Sequence, residues 1–264
     1  MPTVPGTAPS AAGGATGTGR LPRDTAWVRA NGQEVVAGPV LLHVVGPDGA
    51  TAAITASSLD DDAVRVDVPL PATEATALPD AVALAAPEGT TFTLLADDTA
   101  VLRDAAGQFL AGLTDPVLDQ IDAGERSPTV EPAITADGAV LTWSLQATGR
   151  AEDGGTAPVP AGTLTLTVAP TAVRSATWAV RDDEGGQSLA VVPSTWARTG
   201  GLAADEGLWT QLVTQVPEAG TQAMHDQLTC HTIGAPDKES WNLEPWRPDV
   251  GLLATLAARC NPAP

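Results

Sequence analysis

The stretch Ala63-Val-Arg-Val-Asp-Val68 alternates apolar and polar side chains over its length. Alternation with a period of two residues is typical of a β-strand that has one face in the core and the other in solvent. Short segments that are typical of strands recur on both sides of it. The sequence predicts further strands within residues 33–36, 39–45, 90–95, 100–103, 108–111, 139–145 and 163–168. Strands at this spacing predict a β fold for the first part of the chain.

Turn residues separate the predicted strands. The chain has 264 residues, of which 26 are glycine and 23 are proline, and this abundance favours many short strands over long helices. Trp27-Val-Arg-Ala30 followed by Asn31-Gly32 is interpreted as a strand and a turn that lead into the strand at residues 33–36. We therefore expect residues 25–172 to form an antiparallel β-sandwich or meander.

The pattern of apolar and polar residues changes near Ser175. Residues 176–181 and 188–192 predict a hairpin, and residues 205–216 have helical spacing, with Leu208, Leu212 and Val216 on one side. Thr221 is expected to cap a second helix that continues to His231. We expect residues 173–264 to form a small α+β domain. Residues 1–24 are rich in Pro, Thr, Ala, Ser and Gly, and are expected to be a disordered linker.

A third helix is predicted to open at Pro248-Asp249, because proline is favoured in the first helical turn. Its spacing would place on one face Val250, Leu253, Ala257 and Cys260. Cys230 and Cys260 are the two cysteines of the sequence. They fit one disulfide formed in an oxidising compartment, and two free buried thiols are the alternative. A disulfide would clamp the third helix to the end of the second.

The composition is acidic. The formal net charge is −19, from 32 acidic and 13 basic side chains. Such a surface repels a phosphate backbone and an anionic membrane, so we expect no nucleic-acid partner. A cationic partner, a metal ion or simple solubility remain open as explanations of the charge. The sequence has no apolar run of the roughly 18 residues that indicate a transmembrane helix.

Motifs of common cofactor and metal sites are missing. The chain has no phosphate-binding loop, dinucleotide fingerprint, serine-nucleophile elbow or zinc-protease helix motif. His225 and His231 do not have the spacing of a helical zinc pair. We therefore expect no cofactor and no metal. The N-terminal segment lacks the features of a signal peptide and is similar to the linker that follows a removed export signal, so an extracellular or cell-envelope location is expected.

Three motifs near the C-terminus carry a resemblance. They are Asp226-Gln-Leu-x-Cys-His231, Trp241-Asn-Leu-Glu-Pro-Trp-Arg-Pro248 and Cys260-Asn-Pro262. On these motifs the last third of the chain resembles the bacterial domain-of-unknown-function family 2599. Through Thr90-Thr-Phe-Thr-Leu-Leu95 and Ala100-Val-Leu-Arg-Asp-Ala-Ala-Gly107, the middle of the chain resembles β-rich segments of secreted actinobacterial proteins. The resemblance implies export, a cysteine pair and a compact tryptophan-rich module, and it implies no activity.

The motif residues admit two interpretations. In the functional one, a cleft is lined by His231, Asp226, Glu244, Trp241, Asn242, Trp246 and Arg247. His231 with Asp226 or Glu244 would perform acid–base catalysis, Arg247 would hold an anionic group, and the two tryptophans would stack on a sugar or a cation. In the structural interpretation, Glu244 and Arg247 form an ion pair, both tryptophans belong to the core, and His231 donates to a backbone carbonyl.

Two functions follow from these interpretations. The first is a secreted, non-catalytic binding or interaction module of the cell envelope, with a cell-wall or surface ligand. The alternative is an exported hydrolase or toxin-like effector with a His/carboxylate site in the C-terminal domain. An accessible imidazole within reach of a carboxylate would favour the enzyme. No pattern in the sequence indicates an oligomeric state.

Overall fold

The computed structural model describes residues 24–120, 128–135, 137–151, 154–181 and 186–263. The predicted linker lies outside these ranges except for Asp24. The strands of the first part are β1 (Gln33–Ala37), β2 (Val40–Val45), β3 (Thr55–Ser58), β4 (Val64–Leu70), β5 (Ala77–Ala85), β6 (Thr91–Leu94), β7 (Ala100–Arg103), β8 (Phe109–Leu113), β9 (Val117–Gln120), β10 (Thr129–Ile134), β11 (Val140–Gln146) and β12 (Gly162–Ala169).

These strands form two antiparallel sheets. One sheet has the order β1-β2-β5-β11-β10, and the other has the order β3-β4-β12-β8-β7-β6, with β9 also paired to β12. Their inner faces share one hydrophobic core, in which Leu42 and Trp143 of the first sheet pack with Val66, Leu102 and Leu164 of the second. The predicted β-rich N-terminal fold is therefore confirmed as two packed antiparallel sheets.

Apart from the strand expected at Trp27-Val-Arg-Ala30, the strands predicted for the first part of the chain are present, and four further strands were not predicted. The first is β5, which pairs with both β2 and β11 at the centre of its sheet. Its last six residues are all buried, so they do not alternate. The other three, β3, β9 and β10, are short and carry few core positions, so their periodicity is weak.

The interpretation of Trp27 as part of a strand is wrong. Residues Thr25–Asn31 form helix α1. The Asp24 side chain accepts a hydrogen bond of 2.8 Å from the backbone N–H of Ala26, which caps the first turn. Val28 is fully buried against the five-stranded sheet, and Gly32 ends the helix with a hydrogen bond to the Val28 carbonyl. One buried residue in a single short helix leaves too little periodicity to distinguish a helix from a strand.

The C-terminal part is an α+β unit, as expected. It contains β13 (Val173–Arg181), β14 (Gly186–Pro193), α2 (Leu202–Gln215), α3 (Gln222–Gly234), β15 (Trp241–Leu243) and α4 (Leu252–Ala257). The hairpin of β13 and β14 is confirmed, and β15 adds to it as a third antiparallel strand. Leu208 and Leu212 are fully buried along α2. The Thr221 side chain accepts a hydrogen bond from the backbone N–H of Met224 and so caps α3 as predicted.

The predicted third helix is shorter than expected. Helix α4 ends at Ala257, and Leu253, placed on its buried face by the sequence, is 84% exposed. Gly251 has a φ angle of 79°, which no residue inside a right-handed helix adopts, and this starts the helix late. Arg259 and Cys260 also have positive φ angles, so the chain leaves the helix before it reaches the cysteine.

The α+β unit packs directly on the β-sandwich. A second hydrophobic cluster, called here the junction core, contains Val101 and Phe109 of the sandwich together with Trp196, Leu208 and Trp241 of the α+β unit. The first residues of α2 are capped across the junction, because the Asp97 carboxylate accepts a hydrogen bond of 2.7 Å from the backbone N–H of Leu202. The predicted boundary between residues 172 and 173 thus runs through shared apolar packing.

The Asp60-Asp61-Asp62 run also joins the two parts. Asp61 accepts hydrogen bonds from the Arg174 guanidinium and from the backbone N–H of Thr195. Burial raises the pKa of the Asp61 carboxyl, but these hydrogen bonds outweigh it and hold the pKa below its usual value.

In the part of the chain that the structure describes, no helix is both long and apolar enough to cross a membrane.

Candidate functional site

His231 lies inside the α+β unit. It belongs to α3, is 6% exposed, and its side chain contacts β15. Its Nε2 atom lies 3.1 Å from the carbonyl oxygen of Asn242, and its ring stacks on Trp241 with parallel planes and centroids 6.4 Å apart. A carbonyl only accepts, so Nε2 carries the proton and donates it. Burial lowers the pKa of His231 below its usual value, so the imidazole is neutral at neutral pH.

Glu244 and Arg247 face each other across the turn that follows β15. The Arg247 Nε atom forms an ion pair with the Glu244 carboxylate, and Glu244 is 4% exposed. Arg247 also donates to the carbonyl of Pro262, over 3.1 Å, and its guanidinium stacks on Trp246 at 4.4 Å from the ring centroid. These groups satisfy one another, which is the arrangement that the structural interpretation expects.

Trp241 and Asn242 contribute to this packing from β15. Trp241 is fully buried and its indole N–H donates to the Ala235 carbonyl, over 2.9 Å. Asn242 binds His231 through its backbone oxygen, while its side-chain oxygen is buried without a partner among the described residues. Trp246 is only half-buried. The two tryptophans therefore do not face each other across an open cleft.

Gln227 is a residue of the first motif whose role the sequence did not reveal. Its side-chain amide clasps the backbone of Glu244 from both sides, donating to the carbonyl over 3.0 Å and accepting from the N–H over 2.8 Å. Cys230, three residues later, is bonded to Cys260 with 5.5 Å between their Cα atoms. The predicted disulfide is confirmed. All three motifs are thus tied to one another by specific bonds.

Asp226 is separated from His231. It lies on the side of α3 that faces α2, where it lines a groove of about 630 Å³ together with His225 and with Asp205, Glu206 and Trp209 of α2. Neither His231 nor Glu244 lines this groove. The structure brings His231, Trp241, Asn242, Glu244 and Arg247 into one packed cluster, and it places Asp226 elsewhere. The functional roles predicted for these residues stay predictions.

The groove is the candidate functional site. The Trp209 and His225 rings meet edge to face, with centroids 4.5 Å apart and an angle of 74° between their planes. Both side chains are half-buried. Asp226 is 4% exposed and accepts a hydrogen bond of 2.7 Å from the side-chain amide of Gln222. A volume of this size is within the range of small-molecule sites, and the mixture of an aromatic wall and a few polar groups is typical of them.

The electrostatics of the groove are dominated by carboxylates. Glu206 pairs with Arg103 of the sandwich. Burial raises the pKa of the Asp205 carboxyl, while the nearby His225 and a hydrogen bond from Thr232 oppose that shift. Asp205, Trp209 and His225 were not identified as site residues from the sequence. His225 and Asp226 are sequence neighbours, but the groove lies between two helices and both residues reach it.

The fold and these contacts define a disulfide-closed, tryptophan-rich α+β module that packs on a β-sandwich. Residues 173–263 match the family described as "Protein of unknown function (DUF2599)". The chain belongs to this family, which confirms the resemblance carried by the three motifs.

Similar proteins occur in mycobacteria. The chain is 45% identical over 83 residues to uncharacterized proteins of Mycobacterium bovis and Mycobacterium tuberculosis, and the match covers 28% of this chain and 56% of each relative. An uncharacterized protein of Mycobacterium leprae is 37% identical over 83 residues, 28% of this chain and 68% of the relative. The chain therefore spans little more than half the length of the first two. No solved structure matches the chain.

Proposed function

We propose that this chain is an exported, non-catalytic binding module of the bacterial cell envelope. The observation that carries the proposal is that the three family motifs bond to one another. His231 donates to a carbonyl, Glu244 is closed by Arg247, and Cys230 is oxidised. Groups that are bonded to one another in a buried cluster stabilise a small fold. His231 Nδ1 and the Asn242 side-chain oxygen have no partner among the described residues, and both atoms are buried away from solvent.

Export is supported by the disulfide, because such bonds persist in oxidising compartments. A binding role is supported by the groove between α2 and α3, which offers a wall of aromatic rings beside buried polar groups. The net charge of −19 favours a partner with positive charge at the point of contact. An envelope component, either a wall polymer or a surface protein, is the ligand that this location would present.

The test is sedimentation of the oxidised full chain with isolated actinobacterial cell walls. We expect the protein to move into the pellet in a saturable manner and to release no soluble wall fragments. A matched measurement with His231→Gln, made well below its melting temperature, should give the same binding. The hydrolase alternative predicts the opposite pattern, namely release of fragments by the unmodified chain and loss of that release in the variant. Absence of saturable sedimentation would overturn the proposal.

A further inference from the structure

The groove between α2 and α3 is lined by three carboxylates, and the basic side chain that lines it beside them is His225. Of its three carboxylates, Glu206 is paired with Arg103. Asp205 and Asp226 form no ion pair among the described residues. The hydrogen bond that Asp226 accepts comes from the neutral amide of Gln222. A carboxylate that is removed from water without a cation is unfavourable, so the groove favours an occupant with positive charge.

The walls of the groove are suited to an organic cation. The indole of Trp209 and the side chain of Leu252 supply apolar surface beside the carboxylates. An indole attracts a cation placed over its face within about 6 Å, and it also packs against the methylene groups that carry the charge. An alkylammonium has both features, since a compact charge with three N–H donors ends an aliphatic stem.

A metal ion and a neutral sugar fit less well. No group of three or more His, Cys, Asp or Glu side chains in the described ranges is placed to hold a metal ion. A neutral sugar could stack on Trp209, but it would leave Asp205 and Asp226 without a compensating charge. An anionic ligand would be repelled by the same two groups.

We propose that this groove binds a primary ammonium group on an aliphatic stem, with the charge between Asp226 and Asp205 and the stem against Trp209. The inference rests on the proposed binding function and names the chemistry of its ligand. Lysine side chains and diamino acids carry such a group, and the groove would recognise the ammonium and the stem that they share. Glu206 stays paired with Arg103 at the margin of the site.

The test is a titration of the full chain with pentylammonium, followed by amide chemical shifts in NMR spectra. We expect saturable shifts, in about the millimolar range for so small a probe, centred on α2 and α3. Asp226→Asn and Trp209→Leu should each weaken binding by about tenfold or more, because each removes one of the two features that recognise the ligand. Asp237→Asn is the matched control, since it removes the same charge from an exposed loop, and it should bind as the unmodified chain does.

Pentanol separates charge recognition from simple apolar binding. Equal affinity for pentanol and pentylammonium, or unchanged affinity in a folded Asp226→Asn variant, would overturn the inference. Near-ultraviolet circular dichroism confirms that each variant is folded, and Asp205→Asn provides a second variant if Asp226→Asn unfolds. Saturable sedimentation with cell walls by an unmodified chain that binds no pentylammonium overturns this inference and leaves the proposed function intact. Ammonium binding without wall sedimentation supports the chemistry of the groove and overturns the proposed function.

Discussion

His231 shows how a chemically versatile side chain is used for packing. Its ring lies on Trp241 and its Nε2–H is bonded to the Asn242 carbonyl, so the residue connects α3 to β15. Gln227 performs a parallel role one turn earlier, where its amide clasps the backbone of Glu244. Both residues belong to the first family motif. Their pattern in the sequence is therefore explained by contacts within the module.

Replacement of His231 by alanine should lower the free energy of unfolding by about 2–4 kcal/mol near neutral pH, because the ring contact is lost and a buried carbonyl loses its donor. The loss should depend on pH. The pKa of His231 is lowered by burial from its usual 6.5, so the unfolded chain takes up a proton first as the pH falls. The stability that this residue contributes is therefore present above about pH 6.5 and decreases below it.

Urea denaturation at about pH 7.5 and about pH 5 measures this effect. The difference in stability between the unmodified chain and His231→Ala should be larger at the higher pH. Ile233→Ala, an exposed change on the same helix, should cost less than about 0.5 kcal/mol at both pH values. A difference for His231→Ala that is equal at both pH values would contradict a neutral, buried imidazole.

At the scale of elements, the last segment of the chain is held by bonds and not by a long helix. Helix α4 covers only Leu252–Ala257, and its sequence offers few buried positions. The disulfide to Cys230 and the hydrogen bond from Arg247 to the Pro262 carbonyl hold the residues beyond this helix. The cross-link closes a loop with a sequence separation of 30 residues. The C-terminal segment thus depends on covalent and polar contacts for its position.

Removal of the disulfide should destabilise the protein. For a loop of about 30 residues the unfolded chain gains freedom worth about 3–4 kcal/mol, which corresponds to a decrease in the melting temperature of about 6–16 °C. The double variant Cys230→Ala/Cys260→Ala, compared with the oxidised chain by calorimetry, measures this decrease. Addition of a reductant should lower the melting temperature of the unmodified chain and leave that of the double variant unchanged. A double variant as stable as the oxidised chain would show that the tail is held by other contacts.

At the scale of the whole molecule, the β-sandwich and the α+β unit are joined by the junction core. Gly112 of β8 lies directly beneath the ring of Trp196, and a Cβ atom at this position would stand 2.3 Å from two ring atoms. Around this contact the Asp97 carboxylate caps α2 and Asp61 binds Arg174. Apolar surface from both parts is therefore buried in one place, and we expect them to unfold together.

Gly112→Ala should destabilise the protein by about 1–3 kcal/mol or more, because the Trp196 ring has to move to admit the methyl group. Near-ultraviolet circular dichroism follows the tryptophans, most of which lie in the α+β unit, and far-ultraviolet circular dichroism follows the sheets. Both signals should shift to a lower temperature by the same amount. Thr93→Ala, an exposed change in β6 of the same sheet, is the control and should have little effect. Separate transitions for the two signals would contradict a shared core.

Local patterns account for much of this fold. Alternation at residues 63–68 and its repetitions predict strands, because a strand at the surface of a core has one wet and one dry face. Helical spacing places Leu208 and Leu212 in the core for the same reason. A chain with two cysteines permits a single intramolecular pairing. Where a segment is buried on both faces, as in β5, or buries one residue, as in α1, the pattern disappears and so does the prediction.

The sequence by itself determined the β-rich and α+β patterns, the hairpin and the family motifs, since each depends on neighbours along the chain, and its two cysteines predicted the disulfide. Tertiary structure alone decided which side chains of different elements meet. Trp209 and Asp205 come from α2, and His225 and Asp226 from α3, so their groove exists only because these two helices pack against each other. Periodicity shows which side of a helix is apolar, but it does not show which polar side chains of two helices meet, since that depends on the packing of the whole module.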